Sequence, residues 1–106
     1  MLIGLTITDT TAIDAVTDGV WFGKDDGDTN LDFVVEKDGT ETESAAIATL
    51  ADDTFVTATW FIDPDRDAVY YSINNAEPVK VVNTNLPDNE ELTVTIAIQA
   101  GAAAAK

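Results

Sequence analysis

The run Glu91-Leu-Thr-Val-Thr-Ile-Ala-Ile-Gln99 alternates without a break: Leu92, Val94, Ile96 and Ile98 fall on one side, Thr93, Thr95, Ala97 and Gln99 on the other. Successive side chains of an extended strand point to opposite faces, so this is the pattern of a strand with one greasy and one wet face. It closes a stretch, from Thr54 onward, of alternating runs cut by turn chemistry. Phe55 to Ile62 sorts Val56, Ala58, Trp60 and Ile62 from Phe55, Thr57, Thr59 and Phe61, and predicts Trp60 in the core. Asp63-Pro-Asp-Arg-Asp67 turns the chain, because proline presets φ at a turn's second position and offers no amide to a ladder. Ala68 to Ile73 returns with Val69, Tyr71 and Ile73 facing one way. Asn74-Asn75 suits a type I′ turn, and Pro78 marks the start of a strand from Val79 to Val82.

The first half repeats the theme. Ile3, Leu5 and Ile7 alternate in a strand ending at Asp9-Thr-Thr11; residues 12 to 17 form a loop or a single helical turn; Val20-Trp21-Phe22-Gly23 makes a short strand after the Asp18-Gly19 turn. Lys24 to Asn30 is a polar hairpin loop, Leu31, Phe33 and Val35 share a face, and Asp38-Gly39 turns into a polar run from Thr40 to Leu50, giving a β-meander. Short strands at this spacing, with no helical period longer than a turn, predict an all-β fold: an antiparallel β-sandwich or jelly roll.

At 106 residues the chain supports one core, so residues 1–106 form a single domain. Twenty acidic residues against five basic ones give a net charge of -15, which repels phosphate backbones and anionic headgroups and argues against nucleic-acid and membrane partners. With no cysteine and no histidine there is no disulfide, no thiolate and none of zinc's usual ligands; only oxygen donors for a hard cation such as calcium remain. A serine triad has no base, and glycines 19, 23 and 27 lie in a hairpin, not between strand and helix as a phosphate cradle requires. No secretion signal or membrane-length apolar run stands out.

The segments Phe55 to Asp63, Ala68 to Asn75, Thr84-Asn-Leu-Pro87 and Leu92 to Ile98, taken in order, resemble the concanavalin A-like (laminin G-like) jelly roll. Val20-Trp-Phe-Gly-Lys-Asp-Asp-Gly-Asp-Thr-Asn30 and the tail from Ile98 to Lys106 are similar to the version found in structural proteins of tailed bacteriophages, marine ones included. The resemblance implies a non-enzymatic structural module of a virion, for capsid decoration or at the tail, made in the host cytoplasm and touching other virion proteins. Its alternative is a carbohydrate-binding, lectin-like module of a tail or fibre. Sandwiches of this kind run to about 200 residues, so this chain looks like a fragment or half-length version. A sandwich short of strands leaves bare edges and an apolar face, which predicts completion by homo-oligomerisation, as a two-fold dimer.

Site candidates are few. Asp63-x-Asp65-x-Asp67 starts like a calcium loop, but Ala68 stands where the loop's glycine belongs and no closing glutamate follows, so a solvated turn outweighs it. Asp25-Asp26-Gly27-Asp28 is weighed the same way. Trp21 and Tyr70 are the candidate sugar-stacking or oligomer-facing aromatics, whereas Trp60 and Tyr71 face the core. Asp32 and Glu36 share a face, separated by Val34, a poor basis for the paired carboxylates of a glycosidase; no catalytic residue and no cofactor is expected.

Overall fold

A computed structural model describes residues 1–8, 13, 15–81 and 83–99. Residues 12 and 14 of the predicted loop at 12–17 therefore lie outside the described residues, as do Val82, the 9–11 strand end and most of the alanine-rich tail. Among the described residues eight strands form: β1 (Leu2–Ile7), β2 (Gly19–Gly23), β3 (Asn30–Lys37), β4 (Thr40–Thr49), β5 (Ala58–Asp63), β6 (Ala68–Ile73), β7 (Val79–Val81) and β8 (Leu92–Ala97), with one 3-10 turn at Asn83–Asn85. They make two antiparallel sheets, ordered β4-β3-β2-β1-β8 and β5-β6-β7, and no α-helix occurs among the described residues. The sandwich class and the β2-β3-β4 meander follow the alternation.

Turn chemistry sets the registers. Asp38 and Gly39 both take positive φ (51° and 72°) between the closing pair Lys37 and Thr40, the two-residue hairpin that Asp-Gly specifies. Asn74 and Asn75 are also left-handed, at 51° and 60°, but the chain runs on through Pro78 before Val79 pairs with Tyr71, so the turn starts a five-residue connection. Between the pairs Leu31–Ala48 and Phe33–Ser44, β3 carries one residue and β4 three. This bulge is held by Ala46, at φ 53°, whose N–H donates to Asp32 Oδ1 at 2.6 Å.

The core lies between the sheets. Val20, Phe22, Leu31, Phe33 and Val35 of the large sheet pack with Val69 and Val81 of the small one. Phe33 is the hub, its ring 5.2 Å from Phe22 and 5.4 Å from Tyr71 across the interface. A second, smaller cluster sits on the outer face of the large sheet, where Leu2, Trp21 and Val34 pack with Val16 and Ala97. Asp18, buried, anchors the segment that carries Val16: its Oδ1 accepts from the Asp38 N–H at 3.0 Å, while Thr17 O accepts from the Gly39 N–H. On that face β8 is tied to β1 by the Thr6–Thr95 hydroxyl pair at 2.7 Å.

Candidate functional site: an uncovered apolar limb

The small sheet covers only part of the large one. The core joins β6 and β7 to β2 and β3, and β5 marks the limit of cover, so β1 and β8 extend past it as a two-strand limb. The inward side chains of that limb follow from the registers Ile3–Ile96 and Leu5–Val94. They are the ones the sequence assigns to a core, yet Val94 is 75%, Ile96 68%, Ile98 77% and Ile3 41% exposed. Where the limb meets β5 a groove of about 410 Å³ opens, with Ile3, Leu5, Val94 and Ile96 on its floor and Ala58 and Trp60 at its wall. Trp60, expected in the core, is half-buried: it packs against the core and also lines the groove. A grouped apolar surface of this kind, unlike scattered single residues, marks an interaction site.

The aromatic candidates part company. Trp21 is corrected: it is 8% exposed, not at the surface, because the outer face of β2 is roofed by Val16, Leu2 and Val34. Three glycines make room for its indole, since a Cβ on Gly19 would come within 3.1 Å of the ring, one on Gly23 within 3.4 Å, and one on Gly4 within 2.6 Å of the Trp21 Cβ. Tyr70 is half-exposed on the outer face of the small sheet, with one side of its ring stacked on its cross-strand partner Phe61 at 5.1 Å and 11°. Trp21, Tyr70 and Trp60 thus lie on three different surfaces, and no shared stacking platform forms.

The Asp63–Asp67 loop is the β5–β6 turn. Asp63 Oδ1 accepts from the N–H groups of Asp65 (3.2 Å) and Arg66 (3.3 Å), and Oδ2 lies 3.6 Å from Arg66 Nε, so this carboxylate is occupied in holding the turn. The Asp25–Asp28 loop is the β2–β3 hairpin, with Gly27 at φ 75° and Asp28 Oδ1 accepting from the Asn30 N–H. Among the described residues no three carboxylates converge as a cation site would need.

One acidic grouping escaped the sequence reading. Glu41 pairs with Glu36 and Glu43 with Val34, so β4 brings both of its glutamates to the outer face shared by Asp32 and Glu36. The alternation Thr40-Glu-Thr-Glu43 was the available signal, but only the register decides which face receives it. Burial, then the charges of Glu41 and Asp18, raises the Glu36 pKa above the ordinary 4.5; burial, then Asp32, Glu41 and Asp25, does the same for Glu43. A folded-state pKa that is raised contributes stability present below the unfolded value and lost as pH rises through the folded one. Asp88 opposes this: the hydrogen bond from Lys37 at 2.7 Å lowers its pKa, and that contribution is lost as pH falls. Glu36→Gln and Glu43→Gln should therefore each raise the melting temperature at neutral pH, with the gain shrinking toward zero as the buffer is taken below about pH 4.5. Melts in a pH series check this, and a gain that persists in acid would exclude charge as its cause.

Comparison with family models, with characterised proteins and with known structures gives no match to this chain.

Proposed function

We propose that the chain is a non-enzymatic structural module of a tailed-phage particle, acting through protein–protein contact. The observation that carries the reading is the uncovered limb: β1, β8 and the residue after it group Ile3, Val94, Ile96 and Ile98 as exposed apolar side chains on a chain of net charge -15, which is a surface for another protein. The virion setting comes from the resemblance of the 20–30 segment and the 98–106 tail to phage structural proteins. The resemblance of the segments between residues 55 and 98 supplies the finer fold, a concanavalin A-like jelly roll. β8 returning to lie beside β1 is in keeping with one Greek-key closure, and a jelly roll has two, so the β5-β6-β7 meander would gain its closure from further strands. No cofactor enters this function, and its partners are copies of the chain and other virion proteins.

The lectin alternative is the weaker reading because, although Trp60 and Phe22 line the groove, Thr59 is the one polar side chain in its lining among the described residues, whereas a sugar site pairs an exposed aromatic with several polar groups. An antibody raised against the purified chain should label intact phage particles in lysates that express the gene. A glycan panel should produce neither a shift in tryptophan fluorescence nor cleaved product; a glycan-dependent shift, on labelled particles or not, would replace this reading with the lectin one.

A further inference from the structure

Two of the four sheet edges are guarded and two are bare. Natural sheets blunt their edges with charge, proline, bulges or very short strands. β4 has Glu41, Glu43 and its bulge; β7 is three residues long, follows Pro78 and carries Lys80. The other two edges have none of these devices. β8 is uncharged from Leu92 through Gln99, and β5 with its approach is uncharged from Thr54 through Ile62, although the chain as a whole carries a net charge of -15. Neither bare edge has a further strand beside it among the described residues.

The bare edges and the bare face fit one another. The small sheet, with three strands against five, falls short of the large one by two, and the uncovered limb, β1 with β8, is two strands wide. A second copy turned by a two-fold axis that runs along the strands between the layers would lay its own limb on this one. Its β8 then lies beside β5 in the small-sheet layer, and β8 here lies beside the partner's β5.

We propose, building on the structural-module reading, that the occupant of the limb is a second copy of this chain in that interleaved, isologous arrangement. Each layer then runs on across the axis as eight strands, in the order β7-β6-β5, then the partner's β8-β1-β2-β3-β4. Both bare edges gain a ladder, and Ile3, Leu5, Val94 and Ile96 of the two copies close into one apolar layer. Charge favours a second copy over a basic partner: Leu2–Ile7 and Leu92–Ala97 contain no ionisable side chain, so nothing on the limb attracts a cation. It is also the surface on which two chains of -15 can meet with their carboxylates held apart. Simple edge-to-edge pairing of β8 with β8 would leave the apolar face open and β5 bare, so it is the poorer solution.

The absence of cysteine gives a clean background for the test. In the proposed layer the outward residues of β5 stand next to the outward residues of the partner's β8. Oxidised Thr59→Cys/Thr93→Cys and Thr59→Cys/Thr95→Cys variants should therefore run as covalent dimers in at least one of the two registers, while each single variant stays uncrosslinked. By sedimentation the unmodified chain should be a dimer at micromolar concentration. Val94→Lys/Ile96→Lys should sediment as a monomer, with at least a tenfold weaker association, and should keep its β-type circular dichroism. Glu43→Lys, on the guarded edge, should remain a dimer. A monomeric parent chain, a dimer crosslinked through Thr95→Cys alone, or a monomer that takes up one apolar peptide per chain would each overturn the proposal. If Val94→Lys/Ile96→Lys fails to fold, the crosslinks decide. Particle labelling without dimers would sink this arrangement and leave the module reading standing.

Discussion

Phe33→Ala should lower the urea midpoint by about 1–5 M, from a loss of about 3–5 kcal/mol divided by the slope of about 1–3 kcal/mol/M expected of a small domain. Phe33 has no exposed surface, and its ring touches Phe22 within the large sheet and Tyr71 of the small one. Removing it therefore opens a cavity where the two layers are joined, and domains of this size hold only about 5–15 kcal/mol in all. The matched comparison is Phe55→Ala. Phe55 is 98% exposed, and its truncation should fall within about 0.5 kcal/mol of the parent chain. Equilibrium unfolding of the two variants measures the contrast directly, and a Phe33→Ala cost below about 1 kcal/mol would mean that the sheets do not stack through that ring.

Gly4→Val should cost at least about 3 kcal/mol, because what it displaces is backbone and not a yielding side chain. A Cβ at Gly4 would collide with the Val20 carbonyl oxygen and come within 2.5 Å of the Trp21 Cα. The β1–β2 ladder must part to admit it. Since β8 is attached to the sheet, among the described residues, through β1 alone, both strands should loosen together. Amide exchange should accelerate across 2–7 and 92–97 while β2, β3 and β4 keep most of their protection. Gly27→Ala is the control: its Cβ meets nothing within 4 Å, so only the left-handed φ of 75° opposes it, at about 1–2 kcal/mol. Equal costs at the two positions would remove the close approach of β1 and β2 as the cause.

Much of this architecture was legible because it rests on local rules. The alternation in Leu92–Ala97, Ala68–Ile73 and Leu31–Val35 gave strands with the right faces, and the side chains with φ above zero at Asp38, Asn74 and Asn75 stand where Asp-Gly and Asn-Asn were read as turns. The start of β5 was less legible. Its alternation extends back to Phe55, but pairing begins at Ala58, where a partner residue, Ile73, exists. Trp21 was misplaced for a related reason. Alternation tells which residues share a face but not whether that face is roofed, and the roof over Trp21 comes from Val16, Leu2 and Val34, which lie far apart in sequence. The gathering of Glu36, Glu41 and Glu43 was hidden in the same way, since a cross-strand register brings them together.

The order of amino acids by itself determined an antiparallel all-β chain, the placement of its turns, and a net charge of -15. Each of these depends on neighbours within a few residues or on a simple sum. The tertiary structure alone decided that Val94 and Ile96 stand uncovered while Val20 and Phe33, equally apolar by pattern, are sealed. Burial depends on how many strands the opposing layer brings across, and with three strands against five the cover ends at β5.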